Sequence, residues 1–170
     1  MSPPRRPPVV ITGGAGFIGS HLVQRLLREG KRVVVVDDLS TGSLDNLTAV
    51  RHNPDLEVVV SKVSAFAGLA DLLGQAESVY HLAAAVGVEL VVRSPIHVMK
   101  TNLHETEVLF EMAAASGVRV LLASTSEVYG KSQKPGFSEK DDLLIGPPHH
   151  GRWSYACSKL LDEFLALAFA

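Results

Sequence analysis

Apolar positions along this chain alternate between two rhythms. "VVIT" (Val9 to Thr12), "RVVVVD" (Arg32 to Asp37), "LEVVVS" (Leu56 to Ser61), "SVYHLA" (Ser78 to Ala83) and "VRVLLAS" (Val118 to Ser124) are short runs rich in β-branched residues. Their apolar residues are mostly consecutive rather than alternate, the pattern of strands buried on both faces. Between them the spacing becomes helical. Ile18, Leu22, Val23, Leu26 and Leu27 lead up to Gly30, and Ile96, Met99, Leu103, Thr106, Phe110 and Ala113 mark one stripe. That second stripe lies between Ser94 and Pro95, read as N-cap and first helical residue, and Gly117. A last helical stretch carries Tyr155 and Lys159 to the final residue. Strand and helix in steady alternation predict an α/β fold with a parallel sheet of about five strands and right-handed crossovers. The proline-rich residues 1–8 read as an extended leader, residues 9–170 as one domain, and Lys131 to Gly151 as one long loop.

At 170 residues and 46% apolar, the chain has the length and composition of one globular domain. Its net charge of −2 and scattered basic residues lack the footprint of nucleic-acid binding, so a small-molecule partner is expected. No apolar run is long enough to span a bilayer, and the N-terminus has no apolar segment behind its arginines. Cys157 is the sole cysteine, which excludes an internal disulfide, fits a reducing cytoplasm and reads as a small, partly buried apolar side chain.

Three features carry chemistry. "TGGAGFIG" lies between the first strand and the first helix and spaces Gly13, Gly16 and Gly19 three apart. Glycines there let the backbone turn tightly and approach a ligand, while the helix presents free N–H groups to an anion such as a pyrophosphate. Asp37 ends the second strand, where its carboxylate can accept from both adenosine-ribose hydroxyls and repel a 2′-phosphate, which favours NAD over NADP. Tyr155 and Lys159, four apart on a helix, share one face, so an ammonium beside the phenol favours the phenolate and makes Tyr155 a usable base. His149 and His150, adjacent and expected to point apart, and His97 and His104 on a helix face, read as loop or surface residues, and no metal is proposed.

Taken in order, "TGGAGFIGSHL", "VVDDLSTGSLDNL", "VYHLAA", "KTN", "STSEVYG" and "YACSK" resemble the extended short-chain dehydrogenase/reductase family, in its nucleotide-sugar epimerase, dehydratase and decarboxylase group, from about Val9 to the last residue. The resemblance implies a Rossmann-type, doubly wound sheet with NAD along its carboxyl edge. It implies that Gly13, Gly16, Phe17, Ile18 and Gly19 form the pyrophosphate turn and that Asp37, Asp38, Ser40, Thr41 and Gly42 form the adenosine-ribose loop. Leu82, Ala83, Ala84 and Thr101 would line the cofactor, Val63 would pack beside it, and Lys100 would face the substrate. Tyr155 would take the proton of a sugar C4 hydroxyl, Lys159 would also bond the nicotinamide ribose, and Thr125 would position the reacting oxygen.

Two positions depart from the family pattern: Lys62 replaces the usual Asp at the adenine amino group, and Glu105, expected at the surface, replaces a Gly. Ser126 lacks the acid that the 4,6-dehydratases carry, whereas Glu127 is retained as in the decarboxylases. The resemblance therefore implies a UDP-glucose 4-epimerase-like enzyme, with a UDP-glucuronate decarboxylase-like enzyme or a non-catalytic NAD-binding or dimerising fragment as alternatives. Family members continue beyond the Tyr-Lys helix, so the chain is expected to be C-terminally truncated, without its substrate domain. A homodimer through the helices at Ser94 to Ser116 and Tyr155 onward is also expected.

Overall fold

The computed structural model describes residues 6–170, and the first five positions of the predicted leader lie outside the described residues. Strand β1 (Val9–Thr12) leads to α1 (Phe17–Arg28), β2 (Val33–Asp37), a 3-10 turn at Leu44–Leu47, β3 (Leu56–Val60), α2 (Leu69–Gln75) and β4 (Ser78–His81). Then come α3 (Val88–Arg93), α4 (Pro95–Ser116), β5 (Arg119–Leu122), a 3-10 turn at Ser126–Tyr129 and α5 (Trp153–Ala168). Two compact units divide the chain within α4: residues up to Ala83 with Val108–Ala123, and Ala84–Glu107 with Ser124–Ala170.

The first unit holds the whole sheet, five parallel strands in the order β3-β2-β1-β4-β5, which bears out the predicted α/β fold. Every residue of β1 and β2 is buried because each face meets helix. Val9, Ile11, Val33 and Val35 pack against Val23, Leu26 and Leu27 of α1. On the opposite face, Val10 and Val36 pack with Leu69 and Leu73 of α2 and with Leu109 and Ala113 of α4. Each such side chain contributes about 1.5–3 kcal/mol on burial, which is why neither strand shows alternation. The expectation of equally buried outer strands fails: Val60 of β3 is 56% exposed and Leu121 of β5 is 51% exposed. Both strands lie at sheet edges, where fewer elements cover the faces.

Connections run from β1 outward through β2 to β3, then return to β4 on the other side of β1. The strand order thus reverses between β1 and β4, and the carboxyl ends of such a pair form the ligand crevice of open α/β sheets. There the buried Thr12 Oγ1 shares a hydrogen bond of 2.7 Å with His81 Nδ1 and accepts the Ala83 N–H at 3.2 Å.

In the second unit, Ala85, Val91 and Val98 form a small core with Leu90 and Tyr155 against it. Asn102 accepts the Ala85 N–H at 2.7 Å and donates to the Ala85 carbonyl and the Ser158 hydroxyl, both at 3.2 Å. The helical stripe predicted for this half of α4 is displaced. Thr106 is buried as predicted, but Ile96 and Met99 are exposed and Val98 and Asn102 are buried instead, because the hydrogen-bonded Asn102 takes an interior place that a count of apolar residues misses. The segment after Gly130 is not structureless. A bridge joins Gly130 to Leu144, Tyr129 stacks on Phe137 at 4.7 Å, and Lys134 pairs with Asp141. Among the described residues, no helix is long and apolar enough to cross a membrane.

Thr12→Val keeps the shape of the residue while removing the partner of both His81 Nδ1 and the Ala83 N–H. It is expected to cost about 1–3 kcal/mol, read as a lower urea midpoint with unchanged slope.

Candidate active site

At the carboxyl end of β1 the chain turns through Gly13, whose φ of +71° is left-handed. A methyl group on Gly13 would lie 2.7 Å from the Ala83 nitrogen and 2.9 Å from the Leu82 carbonyl carbon, both backbone atoms that cannot yield cheaply. One on Gly19 would run into the Gly13 carbonyl oxygen and come within 2.7 Å of Gly14 Cα. Helix α1 begins directly after this turn. Its N-cap, Gly16, has no side-chain cap, so no side chain occupies the first-turn N–H groups, and Phe17 and Ile18 are 80% and 70% exposed. Close backbone approach, uncapped donors and the positive helix end fit a pyrophosphate, the group predicted here.

Asp37, at the end of β2, is buried, and its two carboxylate oxygens each accept one backbone N–H at 2.9 Å, from Ala15 and from Leu39. Each oxygen retains a lone pair for a ribose hydroxyl. Leu39 itself holds φ +59°, the one non-glycine residue with positive φ among the described residues, a conformation that its N–H bond to Asp37 helps to maintain. Asp38 accepts the Ser40 N–H at 2.9 Å. Burial would raise the Asp38 carboxyl, but the Ser40 hydroxyl and N–H and the nearby Lys62 ammonium outweigh it and hold the group below its ordinary value. Lys62 thus brings positive charge to the predicted adenosine loop, where the family pattern has an acid. Thr41 is exposed, Gly42 sits against the Ala15 backbone, and Val63 is packed into the core with Val10 and Val36.

The second unit gathers the predicted catalytic side chains. Thr125 caps the 3-10 turn at Ser126–Tyr129 by accepting the Glu127 N–H at 3.3 Å, and its hydroxyl also hydrogen-bonds Tyr155. Tyr155 is half-buried on α5, with Glu127 near enough to act on its charge.

The expected electrostatics are reversed. Burial pushes the Tyr155 phenol up, Glu127 and Asp162 push it further, and only the Thr125 hydrogen bond opposes them. The Lys159 ammonium pairs with Asp162, 2.8 Å away, in an ion pair whose side chains are 3% and 0% exposed. Asp162 is the residue that sequence reasoning missed. Its signal was an acid three positions after the lysine on the same helix. Burial raises its carboxyl, against the lowering effects of Lys159 and Thr106.

Other predicted residues are placed less tightly. Leu82 and Ala83 follow β4 in the first unit, while Ala84 and Thr101 are half-buried in the second. Lys100 and Ser126 are exposed. Glu105, expected at the surface, is half-buried. His149 and His150 do not point apart: their rings lie 4.4 Å from each other, since the pair sits in a turn rather than extended chain. Within the second unit, Ser124 donates to the Glu163 carboxylate of α5.

Residues 10–170 match the family model described as GDP-mannose 4,6 dehydratase. A UDP-N-acetyl-alpha-D-glucosaminuronate decarboxylase from Bacillus cytotoxicus is 38% identical over 161 residues, 95% of this chain and 49% of that protein. Among solved structures, a UDP-N-acetylglucosamine 4-epimerase from Methanobrevibacter ruminantium, in complex with UDP-N-acetylmuramic acid, superposes with a TM-score of 0.85 at 28% identity, covering 98% of this chain and 51% of that one. The dTDP-glucose 4,6-dehydratase DesIV from Streptomyces venezuelae, with NAD and TYD bound, gives 0.82 at 31% identity, covering 95% and 51%. The chain therefore spans about half the length of the relatives it matches.

Gly19→Ala is expected to lower stability by about 1–3 kcal/mol through overpacking of the turn, measured by urea denaturation, and to weaken dinucleotide binding measured by calorimetry. Unchanged values for both would mean that the turn relaxes and does not need the close approach.

Proposed function

Because this chain belongs to the family described by the GDP-mannose 4,6 dehydratase model, within the NAD-dependent nucleotide-sugar epimerases, dehydratases and decarboxylases, we propose that it carries the NAD-binding and proton-transfer portion of an enzyme that oxidises C4 of a UDP-sugar. The observation that carries the reading is the grouping of Tyr155 with the Thr125 hydroxyl and the Glu127 carboxylate. The glycine turn would hold the pyrophosphate of NAD, and Asp37 the adenosine ribose. Bound NAD would supply the electron acceptor at C4 and return the electrons afterwards.

Tyr155 accepts the O4 proton as C4 is oxidised, and Thr125 orients that oxygen. In a uronate, the C4 ketone lies β to the C6 carboxylate. The C5–C6 bond can then break, carbon dioxide leaves, and the electron pair passes toward the C4 oxygen that Tyr155 and Thr125 hold before C5 takes a proton. The decarboxylase names of the curated relatives and the retained Glu127 support this finer reading, in place of the epimerase expected from the motifs. Epimerisation is the second reading, supported by the likeness to the 4-epimerase structure, and it needs only return of the electrons to the other face of the ketone. Ser126, with no carboxyl, counts against dehydration. A cytoplasmic location accompanies either reading.

Incubating the full chain with NAD and either UDP-glucuronate or UDP-glucose, with products identified by mass spectrometry and NAD binding by calorimetry, separates the possibilities. Loss of carbon dioxide from the uronate supports decarboxylation, and UDP-galactose from UDP-glucose supports epimerisation. Binding of NAD without turnover supports a non-catalytic module, and no binding of NAD ends the proposal. Tyr155→Phe is expected to lower any turnover by about 10²–10⁴-fold while leaving NAD affinity in place.

A homodimer is proposed through α4 and α5, on which Ile96, Met99, Leu161, Phe164 and Leu167 are exposed. Light scattering is expected to give a dimer for the chain and a monomer for Phe164→Glu; a monomeric unaltered chain overturns this.

A further inference from the structure

The glycine turn at the end of β1 fits a pyrophosphate, and Asp37 at the end of β2 keeps lone pairs for the adenosine ribose. Pyrophosphate, ribose and base follow one another along a dinucleotide. A path that crosses from β1 to β2 therefore reaches the carboxyl end of β3 next, one strand spacing of about 4.8 Å further on. There the Ser61 N–H donates to the Asp37 carbonyl at 3.0 Å, which ties the residue before Lys62 to the ribose-facing acid. The Lys62 side chain is exposed, and its charge acts on the Asp38 carboxylate, an attraction that draws the ammonium toward the loop.

The hydrogen-bonding groups at this strand end are one-sided. The Lys62 carbonyl already accepts the Ser61 hydroxyl at 2.9 Å and the Ala65 N–H at 3.2 Å, so both of its lone pairs are engaged. Asp38 accepts the Ser40 N–H and hydroxyl, and the Val63 side chain is packed into the core. The Lys62 ammonium has three donors and no acceptor. Adenine sets a donor, its amino group at C6, beside the acceptor N7, whereas a carbonyl at C6 gives a lysine two neighbouring acceptors. We infer that Lys62 is a specificity-determining residue for the base of the bound dinucleotide, favouring a purine with a carbonyl at C6, hypoxanthine, over adenine. The inference rests on the reading of the glycine turn and Asp37 as the place of the pyrophosphate and adenosine ribose of NAD.

Titration calorimetry of the full chain with NAD and with nicotinamide hypoxanthine dinucleotide reads the ratio of the two dissociation constants. The unaltered chain is expected to bind the hypoxanthine dinucleotide about tenfold more tightly. Lys62→Met is expected to abolish that preference, and Lys62→Asp to reverse it, because a carboxylate accepts from the adenine amino group. Attraction of the ammonium for the pyrophosphate is common to both dinucleotides and cancels in the ratio. A merely electrostatic or structural role for Lys62 therefore leaves the ratio unchanged on substitution. Position 62 is exposed, so both variants are expected to keep the urea midpoint of the unaltered chain. Equal binding of the two dinucleotides by the unaltered chain, tighter binding of NAD, or a preference that survives Lys62→Met overturns the inference and leaves the NAD reading standing. Binding of neither dinucleotide overturns both.

Discussion

Strand β1 has hydrogen-bonded neighbours on both edges and packed helix on both faces, and its four residues are all buried. No side chain can therefore leave β1 sideways, and the chain must turn sharply where the strand ends. The turn has to clear the backbone of Leu82 and Ala83 as they leave β4, which removes the space for a Cβ at Gly13. Glycine follows from that crowding, and so does the uncapped start of α1 beside it. The Thr12 hydroxyl, between His81 and the Ala83 N–H, sets the distance between the two strand ends. A polar pair buried at this point specifies the register that aims the glycine turn.

The second unit obeys a different constraint. Its apolar core is small, and much of what joins α4 to α5 is polar: Asn102 with Ser158, and Thr106 with Asp162. Each group must find its partner at one distance, so the α5 stripe is held more by directional bonds than by volume. The same stripe carries Tyr155, Lys159 and Asp162. Tyr155 shares its environment with the Glu127 and Asp162 carboxylates, and burial together with these two pushes its phenol up.

The adenosine side shows how one substitution alters a site without altering the fold. Lys62 is exposed at the end of the β3 segment and lowers the Asp38 carboxyl, while Asp37 one residue earlier remains bonded to the Ala15 and Leu39 N–H groups. The charge of Lys62 thus falls on Asp38, at the rim of the loop.

From sequence alone came the five strands, the long helices, the glycine turn and the positions of Asp37, Thr125, Glu127, Tyr155 and Lys159. All of these depend on local rules: consecutive apolar residues, helical spacing, glycine where φ is positive, and residue type at a fixed offset. What only the tertiary structure decided were matters of partnership. Which strands lie at an edge depends on pairing order, so Val60 and Leu121 looked as interior as Val35. That Asn102 is buried on α4 while Ile96 and Met99 are exposed depends on Asn102 finding partners at Ala85 and Ser158, a fact that spacing cannot carry. The direction of the Lys159 ammonium was decided the same way. A flexible four-carbon stem allows several, and burial beside the Asp162 carboxylate settles the choice.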